Sequence, residues 1–195
     1  MTEMNIILTQ LEVASHAGTL KRYEKIGETK PYYGVPMGAI SGIAKAKPNQ
    51  LPQADLENCL NEQISVNVLD KLASIILSKR KDSKDWEEYL LIQDQAIFQR
   101  LGWFLRAKYF AGRTASNQEI EESLDHIRQH LQTADPLVQW TMNQCLVEIA
   151  VTYPDYLEQG LAIGQELAVY ANMKVPKGCT SAYAPDWIEA LLRRK

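Results

Sequence analysis

The chain has 195 residues, of which 46% are hydrophobic, and a formal net charge of −3 at pH 7. This length and composition suit one compact domain, which we expect over residues 1–195. The negative net charge argues against a protein that coats nucleic acid through bulk charge, although a segregated basic face is compatible with it.

The sequence gives no sign of export, of a membrane span or of a bound metal. It has no long apolar run and no basic, apolar leader, so we expect a cytoplasmic protein. None of the three cysteines forms a Cys-x-x-Cys pair, which argues against a disulfide or a structural zinc. Glu122, His126 and His130 stand four residues apart, but their segment is polar and suggests no fourth ligand, so we expect no metal site. No glycine fingerprint for a nucleotide is present, and no cofactor is expected.

Periodicity along the chain predicts an all-α fold. Glycine and proline fall mostly between periodic segments, and strand-like alternation is nearly absent. The predicted helices cover residues 2–14, 19–26, 39–46, 53–63, 65–78, 83–110, 118–133, 137–152, 154–170 and 184–194. The segment 83–110 is long for a single helix, and we expect it to break near Ile92 and Gln93. Paired helices with short connections are typical of degenerate HEAT repeats, which stack as antiparallel pairs into a curved superhelix.

The segment 137–152 has the clearest helical pattern. Apolar side chains recur there at steps of three and four residues, which builds one stripe on a helix. The stripe consists of Val138, Met142, Cys145, Leu146, Ile149 and Ala150. The segment 154–170 offers a second stripe through Leu157, Leu161, Leu167 and Tyr170. We expect the two segments to pack as a helical hairpin joined at residues 152–154.

These two segments, together with the tail Pro176-Lys-Gly-Cys-Thr-Ser-Ala-Tyr-Ala-Pro-Asp-Trp-Ile188, resemble the DNA alkylation repair family, the AlkD-like HEAT-repeat proteins. The segment 30–45 is similar to the family's N-terminal signature, an aromatic-Gly-Val turn that leads into a helix. After Lys45 the chain is shorter than the family pattern by about one helix pair. The resemblance implies a monomer that binds alkylated duplex DNA and hydrolyses the N-glycosidic bond of cationic N3- or N7-alkylpurines.

The resemblance also assigns roles to two charged residues. Asp70 matches the carboxylate that faces the deoxyribose of the damaged nucleotide, where it would stabilise an oxocarbenium ion. The family's tryptophan one turn earlier is replaced by Val66. Arg100 matches an arginine that faces DNA, where it would fork onto a phosphate or pair with Asp70; a purely structural ion pair is the alternative.

The remaining predicted DNA contacts lie in the last third of the chain. Trp140 and Asn143 share a helix with Gln144, which stands near the position of a second family aromatic. Packing between repeats is the alternative role of Trp140. Lys177 and Thr180 offer donors for phosphate on a loop of small residues, although this tail could equally cap the final helix.

Two further functions are compatible with the same fold. Val66 and Gln144 stand where the family has aromatic residues, which favours a non-catalytic DNA binder that has lost the aromatic site. A protein-binding scaffold would use the same helical surface without nucleic acid, and the acidic net charge permits it.

Overall fold

The computed structural model describes Glu57 and residues 66–194, and every regular element in this part is helical. Seven α-helices follow in chain order: α1 (Val66–Ile75), α2 (Ser83–Leu91), α3 (Ala96–Ala111), α4 (Asn117–His130), α5 (Pro136–Thr152), α6 (Leu157–Leu167) and α7 (Ala184–Leu192). Short 3₁₀ turns lie at Leu77–Lys79 and Pro154–Tyr156. The chain divides into two compact units, residues 1–83 and 84–195. The prediction of one domain stays a prediction.

The described part of the first unit is built on α1 and the 3₁₀ turn that follows it. Leu69, Leu72 and Leu77 are buried and give this segment its apolar side. Arg80, just after the 3₁₀ turn, donates two hydrogen bonds to Asp82, at 2.7 and 2.8 Å. The positive charge of Arg80 is therefore neutralised locally.

In the second unit α5 is the central helix. It packs against α3, α4, α6 and α7, and eleven of its seventeen residues are buried. The predicted stripe is confirmed, because its six side chains are all at most 2% exposed. Asp135 fixes the start of the helix by accepting the Leu137 N–H at 2.8 Å, and Pro136 occupies the first turn, where a missing N–H costs nothing.

Two glycines of α6 allow its neighbours to approach closely. A Cβ atom on Gly160 would lie 2.6 Å from the Ala150 Cβ of α5. A Cβ atom on Gly164 would lie 3.0 Å from both the Ala184 Cβ and the Pro185 Cδ at the start of α7. The predicted hairpin of 137–152 and 154–170 is thus confirmed. Helix α6 also packs against α7.

The helix boundaries follow the predictions to within three residues: α1 ends at Ile75 instead of residue 78, α4 at His130 instead of residue 133, and α6 at Leu167 instead of residue 170. The predicted break in 83–110 is confirmed, since α2 ends at Leu91 and α3 begins at Ala96. The segment 154–170 is helical only to Leu167, because Ala168 adopts a left-handed backbone with φ of 50° and ends the helix. Tyr170 therefore lies beyond the helix whose stripe it was expected to join. The helices predicted within residues 2–63 lie outside the described residues.

None of the helices described combines the length and the apolar character that a membrane crossing requires.

Replacing Ala168 with glycine is expected to stabilise the protein by about 0.5–1 kcal/mol, because glycine has no Cβ to strain a left-handed backbone. Thermal unfolding should show a higher Tm for Ala168→Gly. Ala162, which is exposed in the middle of α6, provides the matched control, and Ala162→Gly should cost about 1 kcal/mol. Equal effects of the two substitutions would contradict this account of the helix end.

Candidate nucleic-acid interface

Three aromatic side chains from separate segments of the second unit meet at one side of α5. The ring centroid of Trp140 lies 5.8 Å from that of Tyr170, and the planes are inclined at 66°. The Trp140 and Trp187 centroids lie 6.1 Å apart, at 45°. All three residues are half-buried, so each ring is only partly covered by protein. Trp140 thus packs between segments and also remains partly accessible.

A strained backbone holds Tyr170 in this aromatic cluster. Tyr170 has φ of 65°, two residues after the left-handed Ala168, and bulky side chains rarely adopt this region. Burial raises the pKa of its hydroxyl, while the positive charge of Arg100 acts in the opposite direction. Strain of this kind persists only where the surroundings impose it, and it is common at functional sites.

Arg100 fixes the beginning of the helix that carries Trp140. It lies on α3, is half-buried, and its Nη1 donates to the Leu137 carbonyl oxygen at 2.9 Å. Leu137 is one turn before Trp140 on α5. A hydrogen bond from a charged donor is stronger than a neutral one, so this contact stabilises the position of the tryptophan. The geometry supports a positioning role for Arg100.

An exposed loop over residues 171–181, which we call the basic loop, connects α6 to α7. Residues 171–180 are all exposed. No acidic residue occurs between Glu166 and Asp186, whereas Lys174 and Lys177 lie in the loop. In the described part of the chain neither lysine forms an ion pair. The loop is therefore a local positive surface on a chain of negative net charge.

Contacts at its C-terminal side hold the basic loop against the second unit. The Asn143 Nδ2 donates to the Ala182 carbonyl oxygen at 2.8 Å, in a buried environment. The Arg194 Nη2 donates to the Thr180 Oγ1 at 3.4 Å, which brings a further cation to the loop. The Ser181 Oγ accepts the Tyr183 N–H at 3.1 Å, directly before α7.

The sequence-predicted site residues separate into three groups. Arg100, Trp140, Lys177 and Thr180 belong to the elements just described. Asn143 is only 1% exposed, and its amide is engaged with Ala182, so it anchors the basic loop instead of presenting a donor to solvent. Asp70 lies in the first unit, half-buried on α1, and Val66 is the first residue of that helix.

The sequence does not identify Tyr170 and Trp187 as members of the aromatic cluster. The one feature of the sequence that sets them apart is that Tyr170 precedes and Trp187 follows the basic loop.

A second charged cluster lies between α2, α3 and α4. Glu87 is 1% exposed, and its Oε1 accepts from the Arg106 Nε at 2.8 Å and from the Lys84 Nζ at 3.3 Å. Next to it is a cavity of about 180 Å³, whose walls contain these two cations. Its remaining lining residues are Glu88, Phe110, Glu119, Glu122 and Ser123. Three carboxylates face two cations that are already paired, so this cavity does not suit a phosphate.

On α4 the imidazole ring of His126 contacts that of His130 and the indole ring of Trp103. The His126 and His130 ring centroids lie 4.5 Å apart, and His126 is 5.3 Å from Trp103. Burial lowers the pKa of His126, with smaller contributions from the charges of His130 and Arg106. Among the described residues no three His, Cys, Asp or Glu side chains form a group that could hold a metal ion.

Glu119 makes the stability of the α4 start dependent on pH. Its carboxylate accepts the Ser116 N–H at 2.9 Å and the Tyr109 hydroxyl at 3.1 Å, and these bonds, chiefly that from Ser116, lower its pKa to about 2. Because the folded pKa is depressed, the stabilisation is complete above the usual value of 4.5 and is lost as the pH falls towards 2.

The corresponding prediction is that Glu119→Gln reduces the loss of stability between about pH 4.5 and about pH 2. Urea unfolding at several pH values measures it. Glu122→Gln, an exposed neighbour on α4, serves as the matched control and should keep the wild-type slope. An identical slope in the Glu119 variant and in wild type would contradict the assignment.

Comparison with known proteins identifies the architecture. No protein-family model matches the chain, and no curated protein matches it either. One solved structure is similar, with a TM-score of 0.70 and 17% identity, covering 99% of this chain and 95% of the other. That protein is described as belonging to a new family related to the HEAT-like repeat DNA glycosylases, with affinity for branched DNA structures. At this identity the likeness shows the fold alone, and the predicted all-α, HEAT-like architecture is confirmed.

Proposed function

We propose that this HEAT-like helical protein binds DNA through the basic loop and the aromatic cluster of Trp140, Tyr170 and Trp187. The observation that carries the proposal is the local reversal of charge. On a chain of net charge −3, this anchored, exposed segment carries two lysines and no acidic residue, and it lies beside partly accessible aromatic rings. The affinity for branched DNA reported for the structural neighbour supports the same class of ligand.

The chemistry of these groups suits the two parts of a nucleic acid. Lys174, Lys177 and the backbone N–H groups of the loop contact phosphates, which position the ligand without reading its sequence. The Thr180 hydroxyl adds a neutral donor. The aromatic rings suit bases that are not fully stacked, because base stacking on an aromatic side chain contributes about 1–3 kcal/mol. Arg100 and Asn143 hold these groups in place.

Fluorescence anisotropy with labelled duplex and labelled four-way junction tests the proposal. Log Kd should rise linearly with log salt concentration, since lysine contacts release counterions, at about 0.9 per phosphate contacted on duplex. A preparation that is folded by circular dichroism but binds neither DNA at low salt would reject the proposed function in favour of a protein-binding scaffold.

A second candidate function is excision of cationic alkylpurines with Asp70 as the catalytic residue. The observation that favours it is a half-buried carboxylate on α1, at the position where the resemblance to AlkD-like proteins requires one. An anion next to the sugar stabilises the positive charge that develops as the N-glycosidic bond breaks. The alkylated base is already a good leaving group, so no strong general acid is required.

Release of methylated base from alkylated duplex measures this activity. Asp70→Asn is expected to reduce release by about 10²-fold or more, as for the loss of one electrostatic group in other enzymes. Asp85→Asn, exposed on α2, is the matched control and should leave release unchanged. Equal release by wild type and Asp70→Asn would exclude this mechanism. DNA binding without any release of base would support the proposed DNA binding and exclude the excision activity.

A further inference from the structure

Five large apolar side chains are exposed in the described part of the chain: Tyr89 (40%), Ile92 (78%), Met173 (45%), Val175 (36%) and Leu192 (38%). Met173 and Val175 both lie in the basic loop, where they flank Lys174. Tyr89 and Ile92 lie at the end of α2 among acidic residues. Exposed apolar groups next to cations suit a ligand that has both anionic and apolar parts.

Two hydrogen-bonded turns define the segment that carries these side chains. On one side the Met173 N–H donates to the Tyr170 carbonyl oxygen at 2.9 Å. On the other, the Cys179 N–H donates to the Pro176 carbonyl oxygen at 3.0 Å, with Gly178 at φ of 84° supplying the turn. Pro176 also restricts the preceding Val175 to extended backbone. The segment 173–176 is therefore held between two turns with its side chains exposed.

We infer that Met173 and Val175 are specificity-determining residues that recognise a strand branch by contacting bases whose faces are not covered by a neighbour. This inference rests on the proposed DNA binding and assigns the selectivity to two side chains. In continuous duplex every base is stacked, so an apolar side chain must first separate a base step. At a branch point stacking is already interrupted, and the same contact forms without that cost.

The lysines have a different role in this arrangement. Lys174 and Lys177 contact phosphates, which are present in duplex and in junction alike, so they contribute affinity for both ligands. The two apolar side chains contribute only where an open base face is available. Substituting the apolar pair should therefore change the ratio of the two Kd values, whereas substituting the lysines should change both values together.

The test is a pair of titrations on a four-way junction and on a duplex with the sequence of one arm. Wild type is expected to bind the junction about tenfold or more tightly than the duplex. In Met173→Ser/Val175→Ser the ratio should fall at least severalfold, although the intact aromatic cluster keeps its own contacts with unstacked bases, while the duplex Kd stays within about twofold of wild type. Ile92→Ser removes a more exposed apolar side chain elsewhere, and it should retain the wild-type ratio.

The outcomes separate the inference from the function on which it rests. A wild type without preference for the junction, or an apolar double variant that keeps the full preference, overturns the inference and leaves DNA binding intact. Failure of wild type to bind either ligand overturns the proposed function and the inference with it. Because both positions are exposed in a loop, the variants should fold, and circular dichroism and Tm are the measurements that check this.

Discussion

Glu87→Ala is expected to lower the free energy of unfolding by about 2–3 kcal/mol, because it leaves two cations facing each other without their shared carboxylate. Removing one partner of a fully buried ion pair costs about 3–5 kcal/mol. The Glu87 side chain is 2% exposed, but those of Arg106 and Lys84 are 24% and 37% exposed, so solvent screens part of the remaining charge. The expected loss therefore falls below that range.

Urea unfolding of Glu87→Ala and Glu88→Ala measures this effect with a neighbour as the control. Glu88 is exposed on the same helix, and its substitution should change the free energy of unfolding by no more than about 0.5 kcal/mol. Glu87→Gln keeps a hydrogen-bond acceptor, so its loss in free energy of unfolding should lie between those of Glu87→Ala and Glu88→Ala. A loss for Glu87→Ala no larger than that for Glu88→Ala would show that the cluster is not a stabilising element.

The helices of the described part were largely predictable because their signals are local. The stripe on α5 follows from apolar periodicity, and the break between α2 and α3 follows from the length of the segment 83–110. The end of α6 was not predictable, because Ala168 carries no helix-stop signal and adopts a conformation that usually requires glycine. Contacts of Tyr170 with Trp140, beyond the helix, are consistent with the tertiary structure imposing that conformation.

The candidate site was only partly predictable. The family resemblance indicates residues near Trp140, but the sequence does not show that Tyr170 and Trp187 reach the same tryptophan, since this depends on how α6 and α7 pack. Asn143 was predicted to bind DNA; its buried bond to Ala182 is a tertiary contact without any sequence signal. The role of Asp70 stays a prediction.

The largest effect on DNA binding is expected from reversing the charge of the basic loop. Lys174→Glu/Lys177→Glu removes two cations and places two anions at the same exposed positions. Loss of two phosphate contacts should lower the salt slope on duplex by about 1.8, and the repulsion should weaken binding by about 10²-fold at low salt. The fold should be unaffected, because both side chains lie in solvent.

Lys108→Glu/Arg113→Glu supplies a control with the same change in net charge. Both residues are exposed, at the end of α3 and just beyond it. A general effect of added negative charge would weaken binding equally in both double variants. An interface localised at the basic loop would weaken binding much more in Lys174→Glu/Lys177→Glu than in Lys108→Glu/Arg113→Glu.

The most direct measurement is therefore the duplex Kd of wild type and of these two double variants, over one series of salt concentrations. A DNA interface at the basic loop requires a large loss of affinity and a reduced salt slope for the variant at Lys174 and Lys177, with a much smaller effect for the variant at Lys108 and Arg113. Equal losses in both variants, or a greater loss in the second, would contradict the assignment of DNA binding to the basic loop.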